Sequence, residues 1–300
     1  MEHMLLAKDV ILFKNVLKDP KATQDFIIRS KTNNDQWFGQ WQDWRPWGQY
    51  SKAYPWADPS YEVCRNEGGV YLREFLDIFW DAIKIYKENY FNAEYFIKVG
   101  EDPNIPVTMQ EARSHETYCS ADVVILESEN TDPKLERSME YHQDRRPWFG
   151  GTPHLFNFNI YTNDDYDGGE IQFIDTENAE HSTYVDADGV ERNCLLVEKP
   201  VTYKMEAGDA LLFRTDVYHA VLPVKGNKFY VRQFLTASFR QEFRDMQASM
   251  SEEEWDALLK QKEKEAFSNF INQCRVYNSK EEIGNGGEND QLVCVIKAVD

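Results

Sequence analysis

Long apolar runs are missing from this sequence of 300 residues. Apolar runs such as Val10 to Phe13 and Leu292 to Ile296 are far short of the roughly 18 residues that a membrane-spanning helix needs. Glu2, Lys8 and Asp9 stand where a secretory signal peptide would need an apolar core. We therefore expect a protein that does not cross a membrane, is not exported and works in the cytoplasm.

Cysteine is scarce and unpaired in its spacing. The chain has five cysteines, an odd number, with no CxxC motif and no short ladder of spacings. Zinc ribbons and disulfide frameworks are therefore not expected, and free thiols in a reducing compartment are the simplest interpretation. These cysteines are Cys64, Cys119, Cys194, Cys274 and Cys294.

Positive charge is also in short supply. The sequence has 33 basic and 52 acidic residues, which gives a formal net charge of −19. Such a chain repels polyphosphate and offers no broad basic face for counterion release, so we expect no nucleic-acid partner. The GxSxG, P-loop and GxGxxG motifs are absent as well, which argues against the common hydrolase and nucleotide-binding classes.

Apolar residues make up 42% of the chain and aromatic residues 14%, enough for a full core and for aromatic pocket linings. Three segments differ in pattern. Residues 1–116 are predicted to be N-terminal helical support with a Trp-rich loop, 117–245 a catalytic core, and 246–300 a C-terminal helix and tail. We expect the three to form one compact domain.

In the first segment, Val10 to Phe13 predicts a strand, and Asp19-Pro20 predicts the start of a helix that ends near Ser30. Apolar residues recur with helical spacing from Val70 to Tyr90, which predicts an amphipathic helix packed on something flat. Between them, Trp37 to Trp56 mixes five tryptophans with Gly and Pro and shows neither helical nor strand periodicity, which predicts a loop.

From about residue 117 the pattern changes to short strands separated by turns such as Asp167-Gly168-Gly169. Ser251 and Glu254 then form a capping box that predicts a helix ending near Cys274. We expect an α+β fold whose core is a double-stranded β-helix, or jelly roll, supported by N-terminal helices and a C-terminal helix. The predicted strands are Asp122 to Leu126, Leu155 to Tyr161, Glu170 to Ile174, Ala210 to Phe213 and Phe229 to Thr236.

The tripeptide His142-Gln143-Asp144 carries the chemistry. In an extended strand, residues i and i+2 lie on one face, so the imidazole and the carboxylate would be neighbours while Gln143 points away. A third candidate ligand, His219, follows the predicted strand Ala210 to Phe213. Two imidazoles and one carboxylate on one face form the facial triad of non-heme iron(II) oxygenases, which leaves positions open for a cosubstrate and oxygen.

Four motifs in order over about residues 118 to 245 carry a resemblance to a known family. The runs YHQD, NIYTNDDYDGGEIQF, MEAGDALLF and YHAVLPVKGNKF resemble the iron(II)/2-oxoglutarate-dependent dioxygenase superfamily, in particular its prolyl-4-hydroxylase-like branch. The resemblance implies that His142, Asp144 and His219 are the catalytic iron ligands. It also implies Fe(II), 2-oxoglutarate and O2 as cofactor and cosubstrates, with ascorbate as an optional addition.

The resemblance further implies which residues bind 2-oxoglutarate. Lys228 ends the GNK motif and would bind the far carboxylate, with Tyr161 contacting the same group. Arg232, four residues on and on the same strand face, is the rival for this role. Asn159 and Asn157 share a strand face with Tyr161, and their partners are cosubstrate, substrate or water if that face points into the barrel. The alternative is that this face is exposed to solvent.

The expected reaction is hydroxylation of an unactivated C–H bond with release of succinate and CO2, because related halogenases lack the carboxylate ligand that Asp144 supplies. The expected substrate is a prolyl residue or an amino-acid-like molecule, either a peptide or a small molecule. The alternatives are an oxygenase of another small molecule and a catalytically silent jelly-roll binding module, and a structural or metal-storage protein is disfavoured by Lys228.

The five tryptophans between Trp37 and Trp56 must be buried on something. We predict that this segment, together with the segment between Ile174 and Tyr203, covers the barrel mouth and shapes the substrate pocket, with Trp44 and Trp47 nearest the site. The alternative, almost equally favoured, is that these rings only cap the helix from Val70 to Tyr90.

Overall fold

The structure is a computed structural model. The described residues are 1–32, 42–44, 47–53, 67–94, 104–108, 110–111, 119–131, 139–144, 154–174, 179–185, 189–197, 199–236, 245–246, 248–258, 261 and 275–277.

Two long helices and seventeen strands form in these described residues. The helices are α1 (Pro20–Thr32) and α2 (Glu67–Asn89). The strands are β1 (Glu2–Ala7), β2 (Val10–Lys14), β3 (Gln42–Trp44), β4 (Trp47–Ala53), β5 (Cys119–Thr131), β6 (Met139–His142), β7 (His154–Tyr161), β8 (Asp167–Gly168), β9 (Ile171–Phe173), β10 (Glu180–Val185), β11 (Glu191–Leu196), β12 (Val201–Tyr203), β13 (Ala210–Arg214), β14 (His219–Val221), β15 (Val224–Lys225), β16 (Asn227–Thr236) and β17 (Arg275–Tyr277).

The strands form two principal sheets and two small ones. The large sheet has eight strands in the order β1-β2-β13-β7-β16-β5-β4-β3, and the second has four in the order β12-β9-β14-β6. A three-stranded sheet, β10-β11-β17, and a two-stranded pair, β15-β8, complete the set. Neighbouring strands are antiparallel except β11 and β17. The architecture is therefore mixed α and β, with mostly antiparallel sheets and few helices.

One face of the eight-stranded sheet packs against both helices. The apolar stripe of α2, including Phe75, Phe79 and Tyr86, is buried there, as the helical spacing predicts. Phe26 of α1 joins the same cluster. The sheet contributes buried apolar residues from β2, β7, β13 and β16 to this cluster.

The other face of the large sheet packs against the four-stranded sheet. Their side chains meet in a second apolar cluster, to which the large sheet contributes Tyr161 and Tyr230 and the smaller sheet Ile171 and Phe173. Strand β2 (VILFK) is almost wholly apolar because it is covered on both faces, with alternate residues in the two clusters. The space between the sheets is where the candidate site lies.

Most of the local predictions agree with the structure. The predicted strands correspond to β2, β5, β7, β9, β13 and β16, and both N-terminal helices are present. Asp19 caps α1 by accepting a hydrogen bond from the Ala22 amide at 2.9 Å, and the Ser251–Glu254 capping box opens a helix at residues 252–258. Its predicted end near Cys274 lies outside the described residues.

The prediction of a loop from Trp37 to Trp56 was wrong. Gln42–Trp44 and Trp47–Ala53 form an antiparallel pair of strands, and the second of them pairs with β5. Backbone pairing with the sheet edge outweighs the absence of an alternating pattern in this segment. The positions of the tryptophan side chains lie outside the described structure, as do residues 45 and 46. No described helix is long and apolar enough to span a bilayer.

Candidate metal and cosubstrate site

The structure brings His142 and Asp144 together, although not on one continuous strand. Strand β6 ends at His142, and Asp144 follows two residues later in irregular backbone. The His142 Nε2 atom nevertheless lies 3.4 Å from Asp144 Oδ1. The expected i, i+2 neighbourhood is therefore present, but the strand itself stops at the first ligand.

His219 completes the group from the neighbouring strand. It is the first residue of β14 and pairs directly with His142 across the ladder. Its Nε2 atom lies 3.5 Å from Asp144 Oδ2, and one candidate ligand atom from each of His142, Asp144 and His219 lies within 4.8 Å of the others. Two nitrogens and one carboxylate oxygen at this separation are a donor set that suits iron(II).

The electrostatics keep Asp144 and His219 in the protonation states of metal ligands. Burial lowers the pKa of His219 to about 4, so its imidazole is neutral near pH 7. Burial would raise the pKa of Asp144, but the neighbouring His219 and His142 outweigh it and lower that pKa below its usual range. His219 Nδ1 lies 3.0 Å from the Val217 carbonyl, which therefore accepts a hydrogen bond from it and leaves Nε2 free to bind metal.

The polar face of β7 points into the space between the sheets, not into solvent. Asn157, Asn159 and Tyr161 are all buried, so the solvent-exposed alternative is wrong. Asn157 Nδ2 donates a hydrogen bond to Asp144 Oδ2, which fixes one oxygen of the carboxylate. The Oδ1 atoms of Asn157 and Asn159 are buried without a partner among the described residues, so both can still accept hydrogen bonds.

Lys228 also lies between the two sheets, on the face of β16 that carries Tyr230. Its side chain is only 1% exposed, and its Nζ donates a hydrogen bond to the Gly169 carbonyl at 2.6 Å. The ammonium lies over the rings of Tyr161 and Tyr166, at 5.0 and 5.5 Å from their centroids. No carboxylate of the described residues forms an ion pair with it. A buried cation in this state suits an anionic ligand.

Burial lowers the pKa of Lys228 to about 7, with Lys204 adding to the effect and Glu170 opposing it. Burial also raises the pKa of Tyr161 well above its usual value, so Tyr161 remains a neutral phenol that can donate a hydrogen bond. Residues 167–169 form the turn that presents the Gly169 carbonyl to Lys228. Gly168 has a positive φ of 67°, and a Cβ there would lie 2.1 Å from the Pro223 carbonyl oxygen.

Arg232 lies on the same face of β16 as Lys228 but four residues further along the strand. In the sheet register it pairs with Asn159, whereas Tyr230 pairs with Tyr161. Its guanidinium carbon is 5.0 Å from the centre of the Phe234 ring. Its charge contributes to lowering the pKa values of Asp144 and His219, so it lies nearer the three ligands than Lys228 does.

Two features of the site were missed by the sequence analysis. Asn157 was recognised as part of a polar strand face, but its bond to Asp144 depends on a contact between two sheets. Gln143 was predicted only to point away from the ligands, and its Nε2 donates a hydrogen bond to the Asp216 carbonyl at 2.5 Å. Neither partner is near in sequence, so no local pattern could indicate these bonds.

Comparison with known proteins supports the resemblance. Residues 134–237, about a third of the chain, match the family model of the 2OG-Fe(II) oxygenase superfamily, which confirms the resemblance indicated by the four motifs. This family uses Fe(II), 2-oxoglutarate and O2, and His142, Asp144 and His219 could bind the iron. No curated protein matches the chain.

Solved structures with detectable likeness include prolyl hydroxylases. A Pseudomonas putida prolyl-4-hydroxylase is 13% identical, with a TM-score of 0.44 over 77% of this chain and 93% of that one. A Trichoplax adhaerens prolyl hydroxylase in complex with a hypoxia-inducible-factor peptide is also 13% identical, with a TM-score of 0.43 over 81% and 88% of the two chains. Likenesses this distant carry no assignment of substrate.

Proposed function

We propose that this protein is an Fe(II)- and 2-oxoglutarate-dependent dioxygenase that hydroxylates an unactivated C–H bond. The two facing sheets would then be the double-stranded β-helix of that class. The substrate class that we propose is a prolyl residue or an amino-acid-like molecule, as a peptide or a small molecule, because the four motifs resemble the prolyl-4-hydroxylase-like branch.

One observation carries this proposal. A three-residue ligand set and a buried ammonium that has no ion pair among the described residues both lie in the space between the two sheets, on different strands. A metal-binding protein would need only the ligands, and an anion-binding protein only the ammonium. The combination suits a ligand that bridges a metal and a cation, and a dicarboxylate such as 2-oxoglutarate is such a ligand.

Each residue has a defined task in this proposal. His142, Asp144 and His219 would hold the iron, and Asn157 would orient Asp144. Lys228 and Tyr161 would bind the far carboxylate of the cosubstrate through a charge-assisted and a neutral hydrogen bond. When bound, iron and 2-oxoglutarate supply the oxidising chemistry, and O2 is consumed as succinate and CO2 are released. The protein residues position these groups and exclude water from them.

The test is oxidation of 2-oxoglutarate by the purified full chain. With Fe(II), ascorbate and O2, we expect succinate to form slowly without substrate and faster when the substrate is added. A panel of proline-containing peptides and free amino acids, followed by mass spectrometry for a gain of one oxygen atom, tests the substrate class. Tight binding of Fe(II) and 2-oxoglutarate without any succinate would instead indicate a silent binding module.

A further inference from the structure

The three candidate ligands come from two segments whose ladder pairing ends at the site. His142 is the last residue of β6 and His219 the first residue of β14, and these two pair with each other. The pairing is also irregular, because a register shift lies between His219 and Val221. Asp144 therefore lies beyond the last ladder pair, and regular strand pairing does not fix its position.

The side chain of Gln143 makes a contact beyond the point where the β6–β14 ladder ends. It lies between His142 and Asp144 in sequence, and its Nε2 donates a hydrogen bond to the backbone carbonyl of Asp216 at 2.5 Å. Asp216 is three residues before His219, in the turn that connects β13 to β14. This bond therefore joins the segment that carries two ligands to the turn that precedes the third, His219.

The Asp216 end of this bond is itself held firmly. Its carboxylate accepts two hydrogen bonds from Arg214, at 3.1 Å from Nε and 3.0 Å from Nη2. The Arg214 side chain is only 2% exposed, and a bidentate ion pair in such a place fixes the geometry of both partners. The Arg214 amide also bonds to the Asp9 carbonyl at 3.2 Å, and the Thr215 amide to the Leu155 carbonyl at 3.2 Å. The turn is thus anchored to the large sheet.

We propose that Gln143 is a positioning residue: it sets the spacing between His142 and Asp144 on one side and His219 on the other by bonding to the turn that Arg214 and Asp216 hold rigid. This inference rests on the proposed function, because it assumes that the three residues bind a metal. Gln143 is not one of the three candidate ligands. By holding His142, Asp144 and His219 at the right spacing, it raises their affinity for the metal ion.

The test measures Mn(II) affinity of the full chain, with free Mn(II) counted by electron paramagnetic resonance. Gln143→Glu keeps the side-chain size but places a carboxylate against a carbonyl, and Gln143→Ala removes the group. Both should weaken Mn(II) binding about tenfold or more, the loss typical when the groups that orient metal ligands are removed. Gln143→Lys, which can donate to the same carbonyl, should bind within about threefold of the wild type.

A matched control comes from Asn163, whose side-chain amide donates to the Asn227 carbonyl at 2.7 Å, away from the triad. Asn163→Asp should lower the melting temperature without weakening Mn(II) binding. Wild-type affinity in either Gln143→Ala or Gln143→Glu would overturn the proposal. So would a failure of Gln143→Lys to bind better than Gln143→Ala, or an equal loss of affinity in Asn163→Asp. If the wild type binds no Mn(II) or Fe(II), the proposed function fails and this inference falls with it.

Discussion

At the scale of single residues, Lys228 is the most informative side chain outside the ligand set. A lysine that is nearly inaccessible to water and has no ion pair among the described residues is costly to keep charged. Two aromatic rings and one carbonyl offset only part of that cost. A carboxylate ligand would offset the rest, and this is the physical reason for placing the cosubstrate here.

Replacing Lys228 should separate its role from that of Arg232. Lys228→Ala removes a charge-assisted contact in a dry cavity, at a cost of about 2 to 3 kcal/mol. That cost corresponds to a roughly 30- to 150-fold rise in the KM for 2-oxoglutarate. The measurement is succinate formation as a function of 2-oxoglutarate concentration. A small effect of Lys228→Ala beside a large effect of Arg232→Ala would transfer the far-carboxylate role to Arg232.

The pKa of Lys228 predicts a pH dependence of cosubstrate binding. Because its pKa without a ligand is about 7, the ammonium that binds the carboxylate becomes scarcer as the pH rises above 7. The affinity for 2-oxoglutarate should therefore be highest below pH 7 and fall by up to about tenfold per pH unit above it. Binding measured between pH 6 and pH 9 tests this. In Lys228→Arg the cation stays charged, so the fall should vanish, and an unchanged slope in that variant would assign the titration to another group.

At the scale of elements, the β3–β4 pair raises the question of what the Trp-rich segment covers. Trp44 and Trp47 are the last and first residues of these strands, and β4 lies beside β5 near the edge of the large sheet. One prediction is that their rings reach the substrate, and the other is that they cover the helix α2. The two outcomes differ in what a substitution should change.

Replacing both Trp44 and Trp47 with alanine should raise the substrate KM, or increase succinate formation that is not coupled to product, while leaving the KM for 2-oxoglutarate near that of the wild type. Steady-state assays of product and succinate measure both quantities. Trp80→Phe is a matched control, because Trp80 belongs to α2 and is buried in the cluster on the face of the large sheet away from the site. If the double variant behaves like Trp80→Phe, with lower thermal stability and normal coupling, the rings belong to the scaffold.

Elements with strong local signals could be predicted from the sequence, and elements that depend on distant pairing could not. The stripe of α2 and the alternation of β7 are periodic, so their buried faces follow from the sequence. Strands β3 and β4 lack alternation and exist because β5 offers them a partner. The short strands β10, β11 and β17 gave no clear signal either, since β17 joins β11 from a distant part of the chain.

In the site as well, residues with a local sequence signal could be predicted and contacts between distant segments could not. His142, Asp144 and His219 could be predicted because metal chemistry permits few residue types at a given spacing. Alternation predicted that Asn157 and Asn159 share a strand face with Tyr161, and only the structure shows that this face is buried. The contacts of Asn157 with Asp144 and of Gln143 with Asp216 could not be predicted, because each joins segments whose relative positions only the packed sheets determine.

At the scale of the whole molecule, the two sheets bring distant parts of the chain together in the space between them. The large sheet supplies Asn157, Tyr161 and Lys228, and the smaller sheet supplies His142 and His219. Strands β1 and β2, from the start of the chain, extend the large sheet beside β13. The site therefore depends on the packing of both sheets. We expect this packing to create one iron site per chain.

The most direct test is the number of iron ions bound per chain under anaerobic conditions, in the wild type and in His142→Ala, Asp144→Ala and His219→Ala. The account predicts about one Fe(II) per wild-type chain and little or none in each variant, with no succinate formed by the variants. Circular dichroism confirms that the variants are folded. Stoichiometric iron and wild-type succinate formation in His142→Ala or His219→Ala would contradict the assignment of the site.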